Sequence, residues 1–326
     1  MEIFENQTSL FNEEKPKFKI DKPIRLIELF AGIGSQAMAL RDIGADFEHY
    51  RVVEFDKYVI KSYNAIHGTD FPTIDITEVN GEDLGIVDTD NYCYMLTYSF
   101  PCQDLSVAGK GAGMSKDSGT RSGLLWEVER LLNETEHLPQ VLLMENVPQV
   151  HGKKNIEDFE KWIEFLKGKG YSNYWKDLNA KDYGVAQSRN RCFMVSILGA
   201  YDYEFPPTIH LTKVMKDYLE PMVDEKYYIN SEKAQKLINA LIENGTLAQP
   251  QQGKIGYIER GTGEHQTNQV FGKDGVSPCM DACQYKNPYK VCVDLSINEP
   301  REINKANCVA ARTDRGISNH KAEGVE

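Results

Sequence analysis

At 326 residues, with 41% apolar and 26% charged side chains, the chain has room for two domains and the make-up of an ordinary folded protein. A formal net charge of −12 argues against a protein that coats nucleic acid nonspecifically, yet leaves room for a local basic groove, because phosphate contacts need only a clustered patch. No apolar run approaches the roughly 18 residues of a membrane span, and Met1-Glu2-Ile3-Phe4-Glu5 is too acidic for a signal peptide, so a cytoplasmic protein without a membrane partner is expected.

Residues 1–22 lack periodicity and are expected to be a loose lead-in. The apolar run 24–30 predicts a strand, and Ala31-Gly32-Ile33-Gly34-Ser35 a tight turn into a helix carrying Met38, Leu40 and Ile43. Gly32 and Gly34 let the backbone bend sharply and approach a ligand, and the helix start beyond them offers free N–H groups. A second strand ends about 20 residues later at Glu54, where a carboxylate either accepts from ribose hydroxyls or is simply a solvated strand end. A helix through Tyr58, Ile60, Tyr63 and Ile66 and a turn at Asp75-Ile76-Thr77 lead to a third, parallel strand over 94–99.

That strand runs straight into Phe100-Pro101-Cys102-Gln103. A cysteine where a strand stops sits at the mouth of the cleft in an open α/β sheet, so Cys102 is either a nucleophile or a small buried apolar residue. The glycine-rich, basic stretch 104–123 behind it is a lid over a polyanionic substrate or an ordinary surface loop. A helix opens at Leu124, and a buried strand over 140–144 delivers Glu145-Asn146-Val147-Pro148 to the same sheet edge. Asn155 is expected to cap a helix burying Phe159, Trp162, Ile163 and Leu166. Two further strands, 171–178 and 191–198, flank Gln187-Ser188-Arg189-Asn190-Arg191, whose alternate residues would share one face of an extended segment. After Pro206-Pro207 the composition becomes Gly-, Gln-, Asn- and Lys-rich, with a helix over 231–243 and a short strand over 289–293.

The seven cysteines, an odd number without Cys-x-x-Cys spacing, predict free thiols and no metal; Cys279, Cys283, Cys292 and Cys308 match no common ligand pattern.

In order and spacing, Phe30-Ala31-Gly32-Ile33-Gly34, Pro101-Cys102-Gln103, Glu145-Asn146-Val147 and Gln187-x-Arg189-x-Arg191 resemble the cofactor, catalytic, glutamate and arginine motifs of the cytosine carbon-5 DNA methyltransferases. The resemblance covers roughly residues 24–200. It implies an S-adenosylmethionine-dependent methyltransferase fold, α/β with a mostly parallel, doubly wound sheet, over 23–200, and a second, smaller irregular domain over 201–326 that reads DNA. It also implies the chemistry. Carbon 5 of cytosine is a poor nucleophile until a thiolate, here Cys102, adds to carbon 6; Glu145 would meet the charge that develops at ring nitrogen 3, with Asn146 holding the loop and Gln103 beside the thiol. Arg189 would donate to the ring carbonyl and Arg191 support Glu145 or a phosphate.

S-adenosylmethionine would be held by Phe30, Gly32, Gly34, Glu54, Phe55, Asp75, Ile76 and Leu124, and the base, stacked in duplex DNA, would be flipped out. Family members continue past the recognition region with an Arg-Glu-containing motif and a Gly-Asn-containing segment, and neither is read here. The expectation is therefore a second polypeptide that supplies them. A transfer RNA cytosine methyltransferase and an inactive DNA- or cofactor-binding subunit are the alternatives.

Overall fold

The computed structural model describes residues 15–105, 113–116, 118–220, 223–258, 268–280 and 289–293, with the backbone of 307–310. Most of the expected lead-in and the middle of the glycine-rich stretch lie outside these residues. The chain divides into two units, 1–178 with 191–206, and 179–190 with 207–326. The segment 179–190, read above as part of the catalytic domain, groups with the second unit.

In the first unit, β1 (Ile24–Leu29) is buried along its length except at Arg25, as a strand covered on both faces must be. It lies between β2 (Phe47–Val53) and β3 (Cys93–Tyr98), parallel to both. The sheet continues through β4 (Val141–Asn146), β6 (Asn190–Leu198) and β5 (Tyr171–Asn179), in the order β2-β1-β3-β4-β6-β5. β4 runs parallel to β3, and β6 antiparallel to β4.

Alternation along the strands sorts the core into two layers. Ile27, Leu29, Leu96, Tyr98, Leu142 and Met144 meet α3 (Leu125–Glu134) and α4 (Ile156–Gly168). On the other layer, Val52 meets Ile60 and Tyr63 of α2 (Lys57–His67). The buried hydroxyl of Tyr98 is satisfied by Trp162 Nε1 at 3.0 Å. Asp56 starts α2 by accepting from the amides of Tyr58 and Val59.

Three expectations needed correction. Helix α1 (Ser35–Asp42) is only eight residues long, so Ile43 falls beyond its last turn and is 77% exposed rather than on a buried face. Tyr58 and Ile66 are likewise exposed, because only Ile60 and Tyr63 of α2 face the sheet. Asn155 precedes α4 but does not cap it through its side chain, whose amide donates to the Gln149 carbonyl instead.

The second unit is not irregular. It holds a five-stranded sheet, β7 (Tyr228–Ile229), β11 (Asn307–Ala310), β10 (Lys290–Val293), β9 (Gln269–Gly272) and β8 (Lys254–Tyr257), in that spatial order. Ala234 and Ile238 of α5 (Glu232–Glu243) pack with Ile258, Val270 and Cys292. Each strand is four residues or fewer, too short for a two-residue period to register in the sequence.

Candidate active site

In an open parallel sheet the loops after adjacent strands diverge where the chain winds off in opposite directions, and the gap between them takes the ligand. Here that point lies between β1, whose chain crosses to β2 on one side, and β3, which begins on the other. The segments that emerge there are the glycine turn and the Pro101-Cys102 loop.

After β1, Phe30 adopts φ 56°, the one non-glycine residue with positive φ among those described, followed by Gly32 at 57° and Gly34 at 78°. A side chain at position 34 would overlap the rings of His67 and Tyr63, whereas one at 32 would meet only open space. Glycine is thus required at 34 by packing and at 32 by the backbone angle, which leaves open ground above the turn. Glu54, at the end of β2, anchors this turn: its Oε2 accepts from the Gly32 amide at 3.0 Å and its Oε1 from the Asp56 amide at 2.9 Å. A carboxylate has about four lone-pair sites, so these bonds leave capacity for ribose hydroxyls.

Phe55 is 69% exposed and Ile33 48%, apolar faces next to an otherwise polar turn. Asp75 turns one oxygen to the Thr77 amide and hydroxyl. The Ile76 side chain is buried in the core, so any ligand contact there falls to its backbone. Leu124 packs partly buried against the same core.

The nucleophile loop is strapped from three sides. Asn146 Nδ2 donates to the Phe100 carbonyl at 2.9 Å while its Oδ1 takes the Val147 amide at 2.8 Å. Ser122 Oγ donates to the Pro101 carbonyl at 2.7 Å, and Asp104 accepts the Arg121 amide at 2.8 Å. Cys102 is partly exposed between these straps, with Gln103 exposed beside it. Gln36 of α1 bonds Ser99 at 3.1 Å, tying the glycine-turn helix to the start of this loop.

Glu145 lies within β4, where the sequence pattern had ended the strand one residue earlier. Arg191, the first residue of β6 within this unit, pairs its Nε with Glu145 Oε1 at 3.1 Å, both side chains being about one-fifth exposed. Arg189 is placed elsewhere. It stands in the second unit, its guanidinium toward the Cys279 sulfur at 3.7 Å and the Met280 carbonyl at 3.4 Å. The segment between the two arginines is not simply extended: the amides of Gln187 and Arg189 each bond the carbonyl two residues back, a tight three-residue turn repeated. The two arginines therefore do not share one extended face.

Sequence reasoning missed Gln36, Ser122 and Glu28. The first two carry no distinctive signal. Glu28 does: it is a charge inside the run Leu26-Ile27-Glu28-Leu29-Phe30, and it is 1% exposed.

Among the described residues, His151, Asp177 and Cys192 bring a nitrogen, an oxygen and a sulfur within 4.8 Å of one another. His151 is bonded to Asp177 at 3.0 Å. The Cys192 thiol beneath is fully buried, and burial, then the charges of Asp177 and Glu145, push it up to about 12. It is a protonated core thiol under a surface pair. No helix among the described residues is long and apolar enough to cross a membrane.

Comparison with known proteins places this geometry. Type II methyltransferase M2.ScrFI of Lactococcus lactis subsp. cremoris is 34% identical over 256 residues, 64% of this chain and 71% of that one. Type II methyltransferase M.HhaI of Haemophilus parahaemolyticus is 30% identical over 262 residues, 79% of this chain and 74% of that one. The crystal structure of S. pombe Dnmt2 methyltransferase covers 83% of this chain and 76% of its own with a TM-score of 0.57 at 20% identity, a likeness of fold. The model of the C-5 cytosine-specific DNA methylases matches residues 24–317, through the motifs of the first unit and on into the second. The chain therefore belongs to the C-5 cytosine-specific DNA methylase family.

Proposed function

We propose that this protein transfers a methyl group from S-adenosylmethionine to carbon 5 of a cytosine in a specific double-stranded DNA sequence, through a covalent adduct between Cys102 and carbon 6 of a flipped-out base. The observation that carries the proposal is the strapping of the Cys102 loop to Asn146, the neighbour of Glu145, with Arg191 paired to that same glutamate.

Addition of the Cys102 sulfur to carbon 6 breaks the ring double bond and pushes an electron pair toward ring nitrogen 3. Glu145 meets that change with a hydrogen bond, and Arg191 holds the carboxyl in place. Carbon 5 then acts as the nucleophile. The cofactor, when bound, supplies the electrophilic methyl group; Gly32 and Gly34 give it room, Glu54 accepts from its ribose, and Phe55 and Ile33 offer apolar faces to its adenine. After transfer, loss of the carbon-5 proton and of the Cys102 sulfur restores the aromatic ring. The role of Arg189 toward the ring carbonyl is supported by its motif spacing, and the role of the second unit in base readout by its separation from the thiol chemistry.

The test is bisulfite sequencing of duplex DNA treated with the purified chain and S-adenosylmethionine. Protected cytosines recurring in one sequence context are expected. Methylation confined to an RNA substrate would overturn the DNA assignment. Turnover that appears only after a second polypeptide is added would bear out the expected partner.

A further inference from the structure

The turn after β1 rests on polar side chains that belong to none of the motifs above. Glu28 takes the Tyr63 hydroxyl on Oε2 at 2.5 Å and the Ala37 amide of α1, while its Oε1 is buried without a hydrogen-bond partner. A hydroxyl has one proton, and Tyr63 gives it to Glu28. His49 Nδ1, 2.6 Å from the same oxygen, must therefore be the donor, which fixes the tautomer of a neutral His49. The His49 ring stands 4.8 Å from that of His67, whose Nε2–H donates to the Ile33 carbonyl at 3.0 Å. His67 and Tyr63 also fill the space beneath Gly34. The chain of contacts thus runs without a gap from a buried carboxylate to the backbone of the glycine turn.

Burial raises Glu28 from the ordinary 4.5 to about 7, with the Tyr63 and Ala37 bonds acting the other way. Burial, then the charge of His67, lowers His49. These are the titratable groups that face the site: Tyr63 and His67 from α2 and His49 from β2. From α1 only a backbone amide reaches Glu28, and its register partner on β3 is the neutral Thr97.

We propose that Glu28, Tyr63, His49 and His67 are positioning residues that couple one proton to the shape of the Gly32–Gly34 turn, so that cofactor binding weakens as the pH falls below neutrality. This rests on the assignment of that turn to S-adenosylmethionine. When Glu28 takes one proton from solvent on Oε2, its new O–H points at the Tyr63 oxygen. Tyr63 then turns its own proton toward His49 Nδ1, which gives up its proton while Nε2 takes one, so the net uptake is one proton. The Ala37 amide loses its charged acceptor, and the altered His49 tautomer lies beside the ring that holds the Ile33 carbonyl. The ionised arrangement is the one that ties β1, α1 and α2 together. The positive sulfonium and ammonium groups of S-adenosylmethionine favour the same state.

Two measurements at pH 8 and pH 6 test the relay: amide hydrogen exchange across residues 30–38 of the ligand-free protein, corrected for intrinsic rates, and S-adenosylmethionine affinity by equilibrium dialysis. In the wild type, protection should fall and Kd rise, each by roughly tenfold for a one-proton linkage, between pH 8 and pH 6. In Glu28→Gln both should be nearly flat. Tyr63→Phe, which keeps the ring but removes the bridge, should flatten them too and carries the test if the first variant does not fold. Equal wild-type protection at the two pH values, or the same slope in both variants, overturns the relay. A pH-dependent turn that binds no S-adenosylmethionine at either pH overturns the cofactor assignment and supports the relay.

Discussion

At the end of β1 the backbone is anchored by buried charge: the carboxylates of Glu28 and Glu54 take amides from α1 and from the glycine turn. At the end of β3, one strand away, the backbone carbonyls of Phe100 and Pro101 are held by neutral donors, Asn146 and Ser122, and the one ion pair nearby, Glu145 with Arg191, is partly open to solvent. Neutral bonds keep their geometry over a wide pH range. A buried carboxylate does not, because its charge is costly and its proton lies within reach of physiological pH. The levers for chemistry and the levers for pH and stability thus sit on different strands of one sheet, and substitutions on the two strands should separate cleanly.

The largest effect is expected at the β3 end. Cys102→Ser should lower methyl incorporation by at least about 10⁴-fold while leaving S-adenosylmethionine affinity, read by calorimetry, within a few-fold. A comparable loss of cofactor affinity would break the separation of the two strands. Glu145→Gln keeps the shape and still presents an oxygen to Arg191. It should cost turnover about 10²- to 10³-fold with DNA affinity retained, the pattern of a group that acts mostly in the transition state. Steady-state kinetics that show only a higher KM would remove Glu145 from the chemical step.

How legible these features were in the sequence depended on how local their causes are. Glycine at 34 and a positive φ at 32 follow from the chain's immediate geometry, and Cys102, Glu145 and Arg191 stand at fixed offsets from apolar strands, so these positions could be named in advance. The bond from Asn146 to the Phe100 carbonyl joins residues 46 apart, and nothing in either segment announces it. The placement of Arg189 with Cys279 and Met280 depends on residues 90 and 91 positions away, which is why a period-2 reading of the arginine segment failed. Glu28 was visible as a charge in an apolar run, but its partners come from α1, α2 and, through Tyr63, β2.

At the β1 end the effects are smaller and pH-dependent. Below pH 4.5 Glu28 is protonated in both the folded and the unfolded chain; between 4.5 and about 7 only the folded chain holds the proton; above 7 neither does. Its contribution to stability therefore declines as the pH rises through that window, by about 3 kcal/mol for a shift of this size. Thermal unfolding should show Glu28→Gln gaining on the wild type between pH 5 and pH 8, a slope opposite in sign to that of the turn's own protection. A constant difference in Tm would remove the buried-charge account. The smallest effect is expected from Glu54→Gln, which keeps one acceptor for the Gly32 amide. It should weaken S-adenosylmethionine binding by about tenfold, the cost of exchanging a charged acceptor for a neutral one, with little change in turnover at saturating cofactor.

The assignment of Cys102 as the attacking thiol is tested most directly by trapping. Duplex DNA carrying 5-fluorocytosine at the target position, incubated with the protein and S-adenosylmethionine, cannot lose a proton from carbon 5, so the adduct persists. Digestion and mass spectrometry should place the nucleotide on the peptide that contains Cys102, and Cys102→Ser should give none. An adduct on Cys279 or any other cysteine, or methyl transfer to ordinary cytosine by Cys102→Ser, would contradict the account.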